Sequence, residues 1–176
     1  MDKTEKLKLV KDTIKNYVNF PKPGVNFLDI FPVFQNTLAL KALRDLLLEH
    51  VLFLEIDLIV GLDSRGFLIG PLISIEIDKP FIPIRKKGKL PGRVLSQEYS
   101  LEYGESTLEL QQDSVKEGSR VLIVDDLLAT GGSMGAAIHL LTSINVKIVE
   151  CLVVIEVLKL KAREKFNVPV YSIVQF

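Results

Sequence analysis

Apolar positions change their spacing along this chain. Leu7, Val10, Ile14, Tyr17 and Val18 share one face at helical spacing, which predicts a first helix over that segment. The stretch FPKPGVNF, residues 20–27, carries two prolines, a glycine and three apolar side chains, and predicts an ordered loop. Thr37 is placed to cap a second helix, in which Leu38, Leu43, Leu46 and Leu47 form an apolar stripe. Short runs that are apolar throughout then appear at 58–60, 81–84, 121–124, 151–155 and 170–174. Such runs suit strands covered on both faces, as in a parallel sheet. Helix-capable segments at 65–77, 132–144 and 157–165 separate several of them. The pattern predicts an α/β fold with a mainly parallel, twisted sheet flanked by helices. Segment 85–117 has no helical stripe. There Thr107, Glu109 and Gln111 alternate with Leu108 and Leu110, which predicts an extra strand or hairpin. Asp113 to Gly118 reads as a plain turn, and Cys151 as a buried core residue.

A length of 176 residues suits one domain, and no repeat, low-complexity stretch or linker divides the chain, so 1–176 is read as a single domain. With 48% hydrophobic and 25% charged residues, the composition excludes a disordered chain. Lys+Arg and Asp+Glu are 22 each, and this balance argues against a nucleic-acid partner. A single cysteine excludes a disulfide framework and a multi-Cys zinc site, and His50 and His139 alone cannot make a His-rich metal site. The N-terminus MDKTEKLKLV is charged and lacks the apolar centre of a signal peptide. The most apolar stretch, Val149 to Leu158, is short and carries Glu150 and Glu156, whereas a spanning helix needs about 20 mostly apolar residues. A soluble, cytoplasmic protein with no membrane partner is expected.

In open α/β sheets ligands sit beyond the carboxyl ends of the strands. The loops Gly61–Gly66, Arg85–Arg93 and Asp125–Gly132 are therefore where chemistry is expected. The strongest signal is VLIVDDLLATGGS, residues 121–133. A buried strand ends in two adjacent carboxylates, and Ala129, Thr130, Gly131, Gly132 and Ser133 open a helix. Backbone N–H groups at a helix N-terminus favour an anion, glycines allow close approach, and Thr130 and Ser133 add hydroxyl donors. Asp125 and Asp126 accept hydrogen bonds only, which suits the vicinal hydroxyls of a ribose, one of them reached directly or through a cation. The motif reads as ribose plus phosphate.

Rival glycine motifs fail. No two glycines are separated by one residue, so G-x-G-x-x-G is absent. Gly61 and Gly66 have Walker A spacing but are followed by Phe67 instead of Lys. Gly131 to Gly135 matches G-x-S-x-G, yet the only later histidine is His139 and no Asp follows it, so no serine triad can be built. GLDSRG, residues 61–66, suits an anion nest in which Arg65 gives a bidentate grip. RKKGKLPGR, residues 85–93, places five cations in nine residues, either a solvated hairpin tip or a polyphosphate clamp. In YSLEYG, residues 99–104, Gly104 is a candidate hinge, Tyr103 a candidate cover and Glu102 a candidate proton acceptor in a lid that excludes water.

FPKPGVNFLDI, GLDSRGFLIGP, RKKGKLPG, YSLEYG and VLIVDDLLATGGS together, in this order, resemble the adenine phosphoribosyltransferase family of type I phosphoribosyltransferases. The resemblance covers nearly the whole chain. It implies the type I fold, with residues 1–36 as an N-terminal helix and base-site hood and 85–117 as a basic loop and flexible lid. It implies transfer of phosphoribosyl from 5-phosphoribosyl-1-pyrophosphate to adenine, giving AMP and pyrophosphate in purine salvage. Asp125 and Asp126 would hold the ribose hydroxyls, and Ala129 to Ser133 the 5-phosphate. Asp63, Ser64 and Arg65 would bind pyrophosphate, with a cis peptide at Asp63–Ser64, and Arg85 and Lys89 would neutralise it. Adenine would lie against Val25, Phe27, Leu28 and Leu127, with Glu102 and Tyr103 as catalytic and lid residues. Mg2+ is implied as cofactor, held mainly by the phosphate oxygens and aided by Asp125 or Asp126, and a homodimer is expected. Leu28 stands where Arg is common in the family, Phe31 where a small residue is common, and Ser133 where Thr is common. Transfer to another purine base and a non-catalytic nucleotide-sensing paralogue are the alternatives.

Overall fold

The computed structural model describes residues 1–100 and 105–176, which form two compact units, Met1–Leu52 and Phe53–Phe176. In the first unit, helix α1 (Lys3–Thr13) opens on a reciprocal cap. Glu5 N donates to Asp2 Oδ1 and Asp2 N to Glu5 Oε2, each at 2.9 Å, so two end N–H groups are satisfied at once. The helix stops before the predicted apolar face does. Ile14 takes an extended conformation, and Lys15–Val18 form strand β1, paired antiparallel with β2 (Asn26–Asp29). Tyr17 and Val18 are exposed. Their helical spacing is coincidental, because the 19–25 turn, with Asn19 and Gly24 both at positive φ, folds β2 back onto β1.

Helix α2 (Phe31–Gln35) leads to α3 (Thr37–Val51). The cap of α3 is Asn36 instead of Thr37: its Oδ1 accepts from Leu38 N and Ala39 N at 3.0 and 3.2 Å. The buried stripe runs Ala39, Ala42, Leu43, Leu46 and Leu47, and Leu38 lies off it, exposed. Lys6 of α1 bonds Glu49 of α3 at 2.8 Å. The first unit thus takes in α1, the β1–β2 pair, α2 and α3.

Among the described residues of the second unit, one sheet has the order β5-β6-β4-β3-β7-β8-β9. The parallel strands are β3 (Leu58–Leu62), β4 (Phe81–Lys86), β7 (Arg120–Leu128), β8 (Lys147–Glu156) and β9 (Val170–Gln175). β5 (Val94–Ser100) and β6 (Glu105–Gln111) form the expected hairpin and join β4 antiparallel. Helices α4 (Gly66–Ile77) and α5 (Gly132–Thr142) follow β3 and β7. Val60, Leu62, Ile123 and Val153 share the core with Ala137 and Leu140 of α5. Cys151 belongs to it as expected, its thiol pushed up to about 12 by burial.

The predicted helix at 157–165 is instead two 3-10 turns, Leu158–Leu160 and Ala162–Lys165, because Lys161 between them is left-handed, at φ 50°. Glycines on the sheet's other side make room for Phe81. A Cβ on Gly61 or Gly70 would lie 2.5 or 2.2 Å from its ring. From β3 the chain moves to β4 on one side, and β7 flanks β3 on the other. The sheet therefore has its switch point at β3 and β7, and a crevice opens where both strands end.

Candidate active site

The loops leaving β3 and β7 converge on that crevice. Residues 63–65 and 125–134, with Lys86, Tyr99 and Ser106, line a pocket of about 310 Å³. Asp63–Ser64 is a cis peptide, as expected. Gly66 permits the close approach of the two loops: a Cβ there would lie 2.6 Å from the Val124 carbonyl oxygen and 3.4 Å from Asp125 Oδ1. Gly131 caps α5 at φ 84°, a conformation that favours glycine.

The two carboxylates at the end of β7 differ. Asp126 is buried, and its Oδ2 accepts from Arg65 Nε. Asp125 is half-buried, and its Oδ1 accepts from Asp126 N at 2.9 Å. Burial, then the neighbouring Asp126 charge, hold the Asp125 carboxyl well above the usual carboxylate range, with Arg65 opposing. The pocket thus has one carboxylate paired with an arginine and one whose charge is opposed by burial and by its neighbour. Ser133 Oγ donates to the Tyr99 hydroxyl at 3.3 Å, so the hairpin touches the glycine loop.

Two expected pyrophosphate cations stand apart from the pocket wall. Arg85 Nε donates to Asp63 Oδ2 at 3.0 Å, and its guanidinium lies 5.7 Å from the Phe67 ring centroid. Lys89 is exposed, and its carbonyl accepts from Arg85 Nη1 at 3.5 Å. Lys86, from the same basic run, lines the pocket instead. Tyr99 and Ser106 were not anticipated either. They are direct cross-strand partners, legible only once the hairpin register is known. In the first unit, Phe27 meets Phe20 edge-on with centroids 5.2 Å apart, Leu28 is buried, and Val25 is half-buried at the end of the turn. Glu102 and Tyr103 lie outside the described residues.

The phosphoribosyl transferase domain profile matches residues 33–175. The adenine phosphoribosyltransferase of Homo sapiens is 46% identical, over 97% of this chain and 97% of its own length. The chain belongs to the adenine phosphoribosyltransferase family. A crystal structure of the Saccharomyces cerevisiae adenine phosphoribosyltransferase, complexed with an imino-altritol bisphosphate and adenine, superposes with a TM-score of 0.92 at 39% identity, covering 97% of this chain and 99% of that one. The Trypanosoma brucei adenine phosphoribosyl transferase, in complex with AMP, pyrophosphate and ribose-5-phosphate, gives 0.89 at 29% identity, covering 97% and 79%. Against this adenine phosphoribosyltransferase frame, the α/β fold read from the sequence is the observed one.

Proposed function

We propose that this protein transfers the 5-phosphoribosyl group of 5-phosphoribosyl-1-pyrophosphate to adenine, forming AMP and pyrophosphate for purine salvage. The observation that carries this reading is the single pocket joining the β7 carboxylate pair and α5 glycine loop to the cis loop 63–65. The α5 loop, Ala129 to Ser133, receives the 5-phosphate on backbone N–H groups and hydroxyls. Asp125 and Asp126 accept from the ribose hydroxyls, Asp126 with Arg65 already fixing its orientation. Ser64, Arg65 and Lys86 face the pyrophosphate, while Arg85 holds Asp63 behind them, with Lys89 beyond. The C1–O bond to pyrophosphate breaks, the sugar passes through an oxocarbenium-like state, and a purine ring nitrogen bonds C1 as its proton leaves. Glu102 takes up that proton, and Tyr103 helps the lid exclude water. Val25, Phe27, Leu28 and Leu127 are assigned to the base by likeness to the family.

Among the described residues, no cluster of three His, Cys, Asp or Glu is present that would hold a metal alone. A pocket with two carboxylates beside a phosphate cradle instead suits Mg2+, which keeps waters and binds through one or two carboxylates plus phosphate oxygens. Asp125 would hold it, and the cation would favour the charged carboxylate that burial and Asp126 otherwise oppose. When bound, Mg2+ supplies charge neutralisation to the leaving pyrophosphate. Among the described residues no helix is long and apolar enough to cross a membrane. A cytoplasmic homodimer is the setting we propose. Helix α4 supports the dimer, since it is apolar on more than its packed side: Ile75 is 82% exposed and Leu68 41%.

The test is pyrophosphate release from phosphoribosyl pyrophosphate across a panel of adenine, hypoxanthine, guanine and xanthine, with and without EDTA. Turnover is expected with adenine and loss of it with EDTA. Preference for another base, or no turnover with any, overturns the reading.

A further inference from the structure

The wall of the phosphate loop has a second side. Gly131, Gly132 and Tyr99 line the pocket described above, and they also line a larger groove, of about 760 Å³, that contains Lys165 and Phe166. The loop is therefore a thin partition, with the anion side on one face and the 3-10 turn Ala162–Lys165 on the other.

The turn and the residue after it meet the partition in two places. Lys165 Nζ donates to the Thr130 carbonyl oxygen at 2.7 Å. The Phe166 ring occupies the place that a side chain on Gly131 would need, since a Cβ there would lie 2.8 Å from Phe166 Cζ and 3.2 Å from Ala162 Cβ. The turn is itself anchored, because Arg163 Nε donates to Oε1 of buried Glu156 at 2.7 Å and Arg163 Nη2 reaches Glu156 Oε2. Glu156 ends β8 and sits opposite Leu128 of β7, the strand that carries the carboxylate pair. The turn and the glycine loop thus share one rigid base.

We propose that Lys165 and Phe166 are positioning residues for the 5-phosphate, acting through the Thr130–Gly131 peptide. A trans peptide is planar, with its carbonyl and N–H on opposite sides. Holding the Thr130 carbonyl on the Lys165 face turns the Gly131 N–H towards the other face, where the anion is bound. Phe166 packs where a Gly131 side chain would lie, and the φ of 84° at Gly131 is one that favours glycine. Donors fixed before the ligand arrives bind it without an ordering cost. Lys165 is exposed, and among the described residues its hydrogen bond goes to the Thr130 carbonyl and not to the carboxylates or the 63–65 loop, so its effect is expected on the 5-phosphate.

The inference takes its ligand from the proposed reaction, and two measurements separate them. One is titration calorimetry with ribose 5-phosphate, which carries neither base nor pyrophosphate. The other is steady-state kinetics with adenine and phosphoribosyl pyrophosphate. Lys165→Met is expected to weaken ribose 5-phosphate binding and raise the KM for phosphoribosyl pyrophosphate by about tenfold each. The KM for adenine and kcat should stay within about threefold of the parent. Lys165→Arg should restore both affected constants, and Phe166→Leu should do better than Phe166→Ala. Lys165→Met with parental affinity for ribose 5-phosphate overturns the proposal, as does a loss confined to kcat or matched by a general fall in melting temperature. A parent that binds ribose 5-phosphate but makes no AMP overturns the proposed reaction, and the titration still decides this inference. A parent that does neither overturns both.

Discussion

Arg65 and Asp126 stand 61 residues apart in the chain and meet at the crevice, the guanidinium Nε donating to a buried carboxylate. The side chains differ in exposure, 29% for Arg65 and 4% for Asp126. The contact spans the switch point of the sheet and joins the loop after β3 to the end of β7. One ion pair thus sets the distance between the proposed pyrophosphate and ribose subsites.

Removing either partner is not equivalent. Arg65→Ala leaves a buried carboxylate without its guanidinium, whereas Asp126→Asn leaves a partly exposed cation that water can reach. Arg65→Ala should cost about 2–3 kcal/mol of stability, and Asp126→Asn clearly less, as read from urea unfolding midpoints. Equal midpoints for the two variants would contradict the asymmetry of burial.

Asp125 sets stability against its proposed role in binding. Its folded-state pKa is raised by burial and by the adjacent Asp126, so between the ordinary carboxylate value and the raised one the folded protein binds a proton that the unfolded chain releases. Its contribution to stability is therefore best at acid pH and falls as pH rises from the ordinary carboxylate value through the raised one. Asp125→Asn keeps an Oδ1 acceptor for the Asp126 N–H and removes the charge. The variant should melt above the parent at pH 7, the gain shrinking towards pH 4, and should lose affinity for phosphoribosyl pyrophosphate. A lower melting temperature at neutral pH would show that the Asp125 charge is stabilising instead.

The parts of this molecule readable in sequence are those dictated by local pattern. The runs at 58–60, 121–124 and 151–155 became central strands, because a fully apolar run has no alternative to double-sided burial. VDDLLATGG placed the carboxylates and the glycine loop, because strand end, turn and helix start follow one another in the chain. What escaped were relations between distant segments. Nothing near Arg65 announces Asp126, and nothing near Thr130 announces Lys165. The 157–165 segment had helical composition, but a left-handed Lys161 and the pull of Glu156 on Arg163 broke it into short turns. Tyr17 and Val18 kept helical spacing while serving in a strand, a case of tertiary pairing overriding periodicity.

Glu102→Ala should lower kcat by about 10²–10⁴-fold while leaving the KM for phosphoribosyl pyrophosphate near the parent value, the signature of a proton-transfer group. Stopped-flow or steady-state rates with adenine decide it. A loss of only a few fold would reduce Glu102 to a part of the lid.

Gly66→Ala tests the close approach of the two loops. Its new methyl would meet a backbone carbonyl oxygen at 2.6 Å, which no side-chain rotation relieves. The strand ends must part, at about 1–3 kcal/mol. Because Asp125 Oδ1 is the next atom met, phosphoribosyl pyrophosphate affinity should fall together with stability. Thermal melting and calorimetry on the same sample provide the check, and parental values in either would show that the loops are far enough apart to admit a methyl group.

Leu28 stands where the family often carries Arg. Leu28 is 7% exposed and sits opposite Asn16 in the β1–β2 pair. Just before it, the Val25 N–H is taken by the Lys22 carbonyl at 3.2 Å, and the Val25 carbonyl accepts from Phe20 N at 3.0 Å. The backbone of this turn is thus ordered by the chain itself, whatever side chain occupies position 28. An Arg there must either bury its guanidinium or push it out of a packed place, at roughly 1–3 kcal/mol. In return it offers planar stacking and charge to a base, worth about 0.5–2 kcal/mol. The two effects oppose each other, and they read out in different experiments. Leu28→Arg should lower the melting temperature, while the KM for adenine falls by at most about tenfold from a parent that is already active. If the parent is inert with adenine and Leu28→Arg turns it over, the assignment of the base to this strand needs the missing arginine, and the chain as it stands is a paralogue that keeps the fold without the reaction.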